Sequence, residues 1–472
     1  MLGGSLKAAF AAALLAGSAA AIDLDIKDEQ SIKDAAKTIA SSTMSYYANR
    51  DSADIPGAIV TSWWEGGLLF DIMIQYWSLT GDDSNNDAVT EGMYWQRGSG
   101  NNYFPSNYSS YLGNDDQLTW GLAAMTAAEL DYPQNSSMLT WAMLAENVWN
   151  VILSRWDEEN CYGGLRWQIW PYQIGYTMKN AYTNGAFFEL SARLGRFTKN
   201  QTYVDWAEKI WEWSAKSSLL DVDTWKIYDS TNCKDNCEAA SHIQWSYNYG
   251  TYMTGAAYMY NQVSSSAPKQ NNGGSQANND KTDGKDKWKT ALNGLFNTSQ
   301  IFFPEKYGGK IMSEVTCEPQ ELCNDEILFK GLFAQDLSLI AQVAPYTESN
   351  IIPLLQGSAV AAAKSCTGGT NDDLCGIKWY KSEYDGRSGF EQQLSATSIL
   401  MTNMIAFGKQ APATQATASK PASGTSTGSP SSTSNTLVIK TDNADKDNGA
   451  GVLSGGPVAV VVAVMAGILY LI

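Results

Sequence analysis

The chain has 472 residues, 44% of them hydrophobic and 17% charged, with a formal net charge of −17. That acidity argues against nucleic acid as a partner, because phosphate recognition needs clustered cations. A single histidine, His242, removes most Ser-His-Asp, Cys-His and zinc-based schemes.

In chain order, residues 1–21 predict a secretory signal. Lys7 supplies a positive start, residues 8–15 form an apolar run too short to span a bilayer, and small residues lead to Ala21. The rival reading, a buried N-terminal helix, fits the small residues less well. Between residues 30 and 408 apolar residues recur at helical spacing, as in Leu118, Leu122 and Met125, or Met138, Trp141, Ala145, Val148 and Ile152. The pattern predicts twelve helices, at 30–47, 65–79, 85–97, 116–131, 138–154, 180–195, 202–217, 246–263, 285–298, 325–344, 349–364 and 388–408. Consecutive helices from 65–79 onward pair as hairpins, leaving 388–408 to pair with 30–47. Six hairpins then close into an all-α (α/α)6 barrel, a catalytic domain over residues 22–410. The polar insert from Ser264 to Lys287 is expected to be a mobile surface loop.

Polar and aromatic clusters concentrate in the loops that lead into the first helix of each pair. They include Trp63-Trp64-Glu65, Asn114-Asp115-Asp116, Gln168 running on to Asn184, and Tyr247-Asn248. If those first helices are the inner ones, all six loops meet at one end of the barrel. A helical repeat array would instead show one recurring motif, and these clusters differ from one another.

The adjacent acids Asp115 and Asp116 stand at the start of a helix. Glycoside hydrolysis usually needs two carboxyl groups at one bond, one donating a proton while the other attacks or activates water. Acids this close repel, so one holds its proton, while a helix N-terminus favours an anion beside it. Acidic residues at helix starts are also ordinary caps. The surrounding cleft loops favour the catalytic reading.

The seven cysteines offer three close pairs, Cys233/Cys237, Cys317/Cys323 and Cys366/Cys375, which would leave Cys161 a free thiol. Cys233, Cys237 and His242 leave a tetrahedral metal site one ligand short, so no metal is expected. No cofactor is expected either, because a carboxylate pair suffices. Sequons at Asn107, Asn135, Asn200 and Asn297 predict N-glycosylation. Residues 411–448 begin as a Ser/Thr-rich stalk. Small residues and an apolar tail follow, which predicts a removed lipid-anchor (GPI) signal at 449–472 with attachment at Asn448 or Gly449. The alternative, a C-terminal transmembrane helix, lacks a basic stop.

Several stretches together resemble glycoside hydrolase family 76, and within it the fungal cell-wall, lipid-anchored mannosidase-like proteins. They are Trp63-Trp64-Glu65-Gly66-Gly67, Asn86 through Gln96, Asn114-Asp115-Asp116-Gln117, Lys179-Asn180 through Phe188, Tyr247-Asn248-Tyr249-Gly250 and Phe329-Lys330-Gly331. The resemblance spans about residues 25–408. It implies an (α/α)6 barrel, a substrate of α-1,6-mannan or a mannose-containing anchor glycan, and retention of configuration. It further implies Asp115 as nucleophile and Asp116 as acid/base. Trp63, Trp64, Glu65, Asn114, Gln168, Asn184, Tyr247 and Asn248 are the expected sugar contacts. Three activities fit: endo-hydrolysis of α-1,6-mannan, transfer of anchored mannoproteins to a β-glucan acceptor at the outer face of the plasma membrane, or sugar binding without catalysis.

Overall fold

In the computed structural model, residues 22–48, 55–59, 62–265, 279–408 and 411–418 are described. The predicted signal, residues 266–278 of the insert, the stalk beyond 418 and the anchor signal lie outside the described residues.

Twelve α-helices are present among the described residues: α1 (Glu29–Ala48), α2 (Trp63–Thr80), α3 (Asn86–Gln96), α4 (Asn114–Glu129), α5 (Trp141–Leu153), α6 (Ala181–Thr198), α7 (Gln201–Lys216), α8 (Ser246–Ser265), α9 (Asn279–Thr298), α10 (Phe329–Val343), α11 (Glu348–Ser365) and α12 (Phe390–Met401). Helices α2, α4, α6, α8, α10 and α12 each pack on the next, and α12 returns to α2. Each also packs against an outer partner, α3, α5, α7, α9, α11 and, across the chain ends, α1. This is the (α/α)6 barrel.

Burial separates the two rings. The outer helix α7 buries only one stripe, including Tyr203, Ala207, Ile210 and Trp211, as an amphipathic helix on a core should. Inner helix α6 is buried on every side from Ala181 to Phe197. Such helices approach closely where side chains are small: a Cβ on Gly185 would fall 2.3 Å from Thr251 Oγ1 on α8.

Inner helices also carry polar residues into the barrel axis. Arg193 lies between Glu129 and Glu189, at 2.9 Å from each, and donates to Thr126 Oγ1 at 2.8 Å. Asp71 and Asp336 stand nearby, and burial raises the pKa of both. At the far end, residues of the expected stalk lie on the barrel. Ala413 N–H donates to Glu129 O at 2.7 Å, and Arg196 donates to the carbonyls of Pro412 and Ala413 at 2.7 and 3.1 Å.

Helix ends differ from expectation in two instructive places. Helix α9 begins at Asn279, inside the expected insert; its polar first turns give no apolar stripe to read. Helix α4 begins at Asn114, two residues before the predicted start, so both acids of the pair lie within its first turn.

The cysteine pairing is corrected. Cys317–Cys323 and Cys366–Cys375 form as expected, but Cys237 bonds to Cys161, 76 residues away, and Cys233 is the free thiol among the described residues. The cause is tertiary. The buried Lys179 ammonium ties down the carbonyls of Asp157, Asn160 and Gly163. That folds the loop carrying Cys161 against the turn at Cys233–Asp235, where all three sulfurs lie within 4.8 Å of one another. Spacing along the chain could not reveal this contact.

Candidate active site

The loops that lead into the inner helices meet at one end. Asn114 N–H donates to Trp167 O at 2.9 Å, Gly113 bridges to Gln168, Tyr182 stacks on Tyr247, and Tyr247 stacks on Phe329. The Arg387 guanidinium donates to Cys323 O at 3.2 Å, joining the last two loops.

Asp115 and Asp116 sit among these contacts. Gly113 is the N-cap of α4, and its N–H donates to Asp116 Oδ2 at 2.7 Å, half of a capping box. The Asp116 N–H donates to Asp115 Oδ1 at 2.9 Å, and the Trp167 side chain also bonds to the Asp115 carboxyl. Both acids stay partly open to solvent. Burial, then the Asp116 charge, pushes the Asp115 pKa well up, and burial pushes Asp116 up to about 6. The two acids titrate as a pair, and together they hold a proton toward neutrality.

The remaining expected contacts fall into two groups. Trp63 is core: its Nε1 donates to Gln96 Oε1 at 2.7 Å, and its ring stacks on Trp120 at 5.1 Å. Asn114 is committed to scaffold, donating to Arg166 O and accepting from Arg155 Nη1 at 2.8 Å. The Asn184 amide holds both backbone groups of Leu165, at 2.8 and 3.1 Å. Glu65 is buried in the first turn of α2. Trp64, Gln168 and Tyr247 are only partly buried, and Gln168 Oε1 has no hydrogen-bond partner. Asn248 is buried against the Asp229 carboxyl, with its own Oδ1 unpartnered.

Sequence reasoning missed four residues here. Arg155 Nη1 bridges Asn114 Oδ1 and Gln117 Oε1 at 2.8 and 2.7 Å, pinning the first turn of α4. Trp167 bonds to Asp115. Tyr182 pairs with Thr119 Oγ1 at 3.1 Å, which in turn donates to Asp115 O. Asp229 sits near Tyr247, and burial raises its pKa. Trp167 adjoins Gln168, and Tyr182 lies in the stretch from Lys179 through Phe188 already singled out; no spacing rule points to Arg155 or Asp229.

A carboxylate pair where the loops of such a barrel meet invites comparison with known proteins. The model of glycosyl hydrolase family 76 matches residues 31–416. The chain belongs to that family. Among family-76 relatives, the Saccharomyces cerevisiae protein named mannan endo-1,6-alpha-mannosidase DCW1 is 39% identical over 401 residues, covering 84% of this chain and 83% of its own. Dfg5 from Chaetomium thermophilum, solved in complex with glucosamine, is 34% identical with a TM-score of 0.75, covering 84% of this chain and 95% of its own. An inactive variant of the α-1,6-mannanase GH76A of Salegentibacter sp. HEL1_6, solved with α-1,6-mannotriose, is 17% identical. With a TM-score of 0.59 over 79% of this chain and 99% of its own, it shares the fold. The family-76 motifs read from the sequence divide accordingly. Gln96, Lys179, Asn184 and Lys330 hold loops by hydrogen bonds, whereas Asp115 and Asp116 stay partly open to solvent.

Proposed function

We propose that the chain is a retaining endo-α-1,6-mannosidase of fungal cell-wall biogenesis. The observation that carries this reading is the dyad: two adjacent carboxyls in one helix turn, partly open, sharing a proton that burial keeps bound. In the first step Asp115 attacks the anomeric carbon. Asp116 gives its proton to the departing glycosidic oxygen as that bond breaks. In the second step Asp116 takes a proton from water, the oxygen bonds to the anomeric carbon, and the bond to Asp115 breaks. This requires the shared proton to sit on Asp116 once substrate is bound. The leaving oxygen, an acceptor, draws it there, while positive charge developing at the anomeric carbon favours Asp115 as the anion. Trp64, Gln168 and Tyr247 contact the sugar; Trp63, Asn114, Asn184 and Asn248 position the walls.

Support for the substrate comes from the names of relatives at up to 39% identity. The terminal signals support an outer-face, GPI-anchored location, and the asparagines of all four sequons are exposed. That location favours a second reading, transfer of a mannosylated anchor glycan to a β-glucan hydroxyl, which replaces water in the second step. The test incubates pure ectodomain with α-1,6-mannan, and separately with a mannosylated anchor glycan plus a β-glucan oligosaccharide. Shortened mannan fragments, lost in Asp115→Asn, are expected. A coupled product formed without hydrolysis would replace the hydrolase reading with transfer, and no product in either arm would overturn both.

A further inference from the structure

The loop Trp167–Tyr176, which brings Trp167 to Asp115, does more than its length requires. Its sequence, Trp-Gln-Ile-Trp-Pro-Tyr-Gln-Ile-Gly-Tyr, contains no charged residue. It is closed at its base by Trp167 N–H to Met178 O and Met178 N–H to Gly175 O, both at 2.8 Å. Three side chains then fasten it to three consecutive carbonyls of the loop leading to the dyad. Trp170 Nε1 donates to Ser109 O at 2.7 Å, Tyr172 Oη to Ser110 O at 2.6 Å, and Gln173 Nε2 to Tyr111 O at 2.7 Å.

These bonds consume the polar edges of Trp170 and Tyr172 and leave their faces. The two rings are parallel to within 3°, with centroids 6.3 Å apart, and Tyr172 is 70% exposed. Tyr111, also exposed, lies near enough to Asp116 for that carboxylate to help hold its hydroxyl protonated, after burial. From Tyr111 an aromatic row runs inward through Tyr108 to Trp63. Two large rings held open to water at fixed angles, Tyr111 and Tyr172, with the partly buried Trp170 parallel to the second, suit a ligand with apolar faces and polar edges, which describes a pyranose chain. The lack of any cation on the loop argues against an anionic lipid surface.

We propose that Trp170, Tyr172 and Tyr111 form a stacking platform for a neutral saccharide chain, binding sugar units beyond those held at Asp115 and Asp116. This rests on the glycosidase reading and makes the enzyme select long chains over short ones. Rings pre-set by hydrogen bonds bind with little ordering cost.

The test titrates an α-1,6-linked mannose disaccharide and hexasaccharide into the Asp115→Asn, Asp116→Asn double variant of the ectodomain, its N-glycans trimmed, with and without Tyr172→Ala. Tyr172→Ala is expected to weaken hexasaccharide binding about tenfold, the order expected for one lost aromatic contact, and to leave the disaccharide unchanged. Tyr172→Phe should restore most of the affinity, since the ring face remains. Unchanged hexasaccharide affinity overturns the platform, as does equal weakening for both lengths, which would mark a structural role. If the parent double variant binds neither sugar, the glycosidase reading itself fails. A membrane role is checked by sedimentation with vesicles of phosphatidylcholine and phosphatidylinositol. Vesicle binding lost in both Tyr172→Ala and Ile174→Ser, with sugar binding intact, would replace the platform with a lipid contact.

Discussion

Replacing Arg193 with Met tests whether the barrel axis is held by charge. The guanidinium is 2% exposed and serves Glu129, Glu189 and Thr126 at 2.8–3.0 Å. Methionine fills part of the volume but leaves these acids, with Asp71 and Asp336, facing one another. Removing one partner of a buried pair costs about 3–5 kcal/mol. A barrel of about 390 residues unfolds with an entropy of roughly 0.8 kcal/mol/K, so the melting temperature should fall by about 4–6 °C near neutrality. The sign of the pH dependence follows from the acids. Burial lifts Glu189 to about 7 and raises Asp71 even with Arg193 present, against roughly 4 in an unfolded chain. The native state therefore binds more protons, and stability is lost as pH rises from the unfolded value through the native one. Without Arg193 the native values climb further, so the deficit should be small at pH 4 and should still be growing above pH 7. Calorimetric scans of both proteins across that range measure it. Equal melting temperatures at pH 7, or a deficit independent of pH, would refute the reasoning.

Activity on mannan should rise as pH climbs past about 6, where the dyad gives up the first of its two protons and one carboxylate becomes free to attack, and should fall only at higher pH, where the shared proton that burial and charge repulsion hold on the pair is lost; a kcat/KM profile measures this. With an activated aryl α-mannoside, Asp116→Ala should keep its first step and form the retained mannosyl azide when azide is added, whereas Asp115→Ala should lose the covalent step and form only the inverted azide. Alkylation and peptide mapping should find Cys233 labelled and Cys161 joined to Cys237. Cys233→Ser should then leave stability unchanged, while Cys161→Ser should lower it by about 2–4 kcal/mol. Gly185→Val should destabilise the α6–α8 contact by about 1–3 kcal/mol, read from denaturant midpoints.

Helix number and pairing were legible because outer helices such as α7 carry a single apolar stripe, and because loops between pair members are short. Inner helices were harder: α6 carries Asn184, Glu189 and Arg193 inward, so hydropathy alone marks neither its faces nor its ends. The place of Asp115 and Asp116 at a helix start was legible because acids are favoured in a first turn, beside the positive end of the helix. Trp63, Asn114 and Asn184 sit in equally polar or aromatic motifs, yet the fold spends their polar atoms on Gln96, Arg155 and Leu165. Sequence shows which groups are available, not which neighbour claims them. Arg155 and the Cys161–Cys237 bond depend on contacts between segments 38 and 76 residues apart, and no local pattern encodes such contacts.

The division of labour within the dyad is tested most directly by trapping the covalent intermediate. A slow-turnover 2-fluoro-mannosyl fluoride, mixed with the ectodomain and followed by intact mass and peptide mapping, should add one fluoromannosyl group to Asp115. A group on Asp116, or steady turnover of mannan by an enzyme that the reagent never labels, would contradict it.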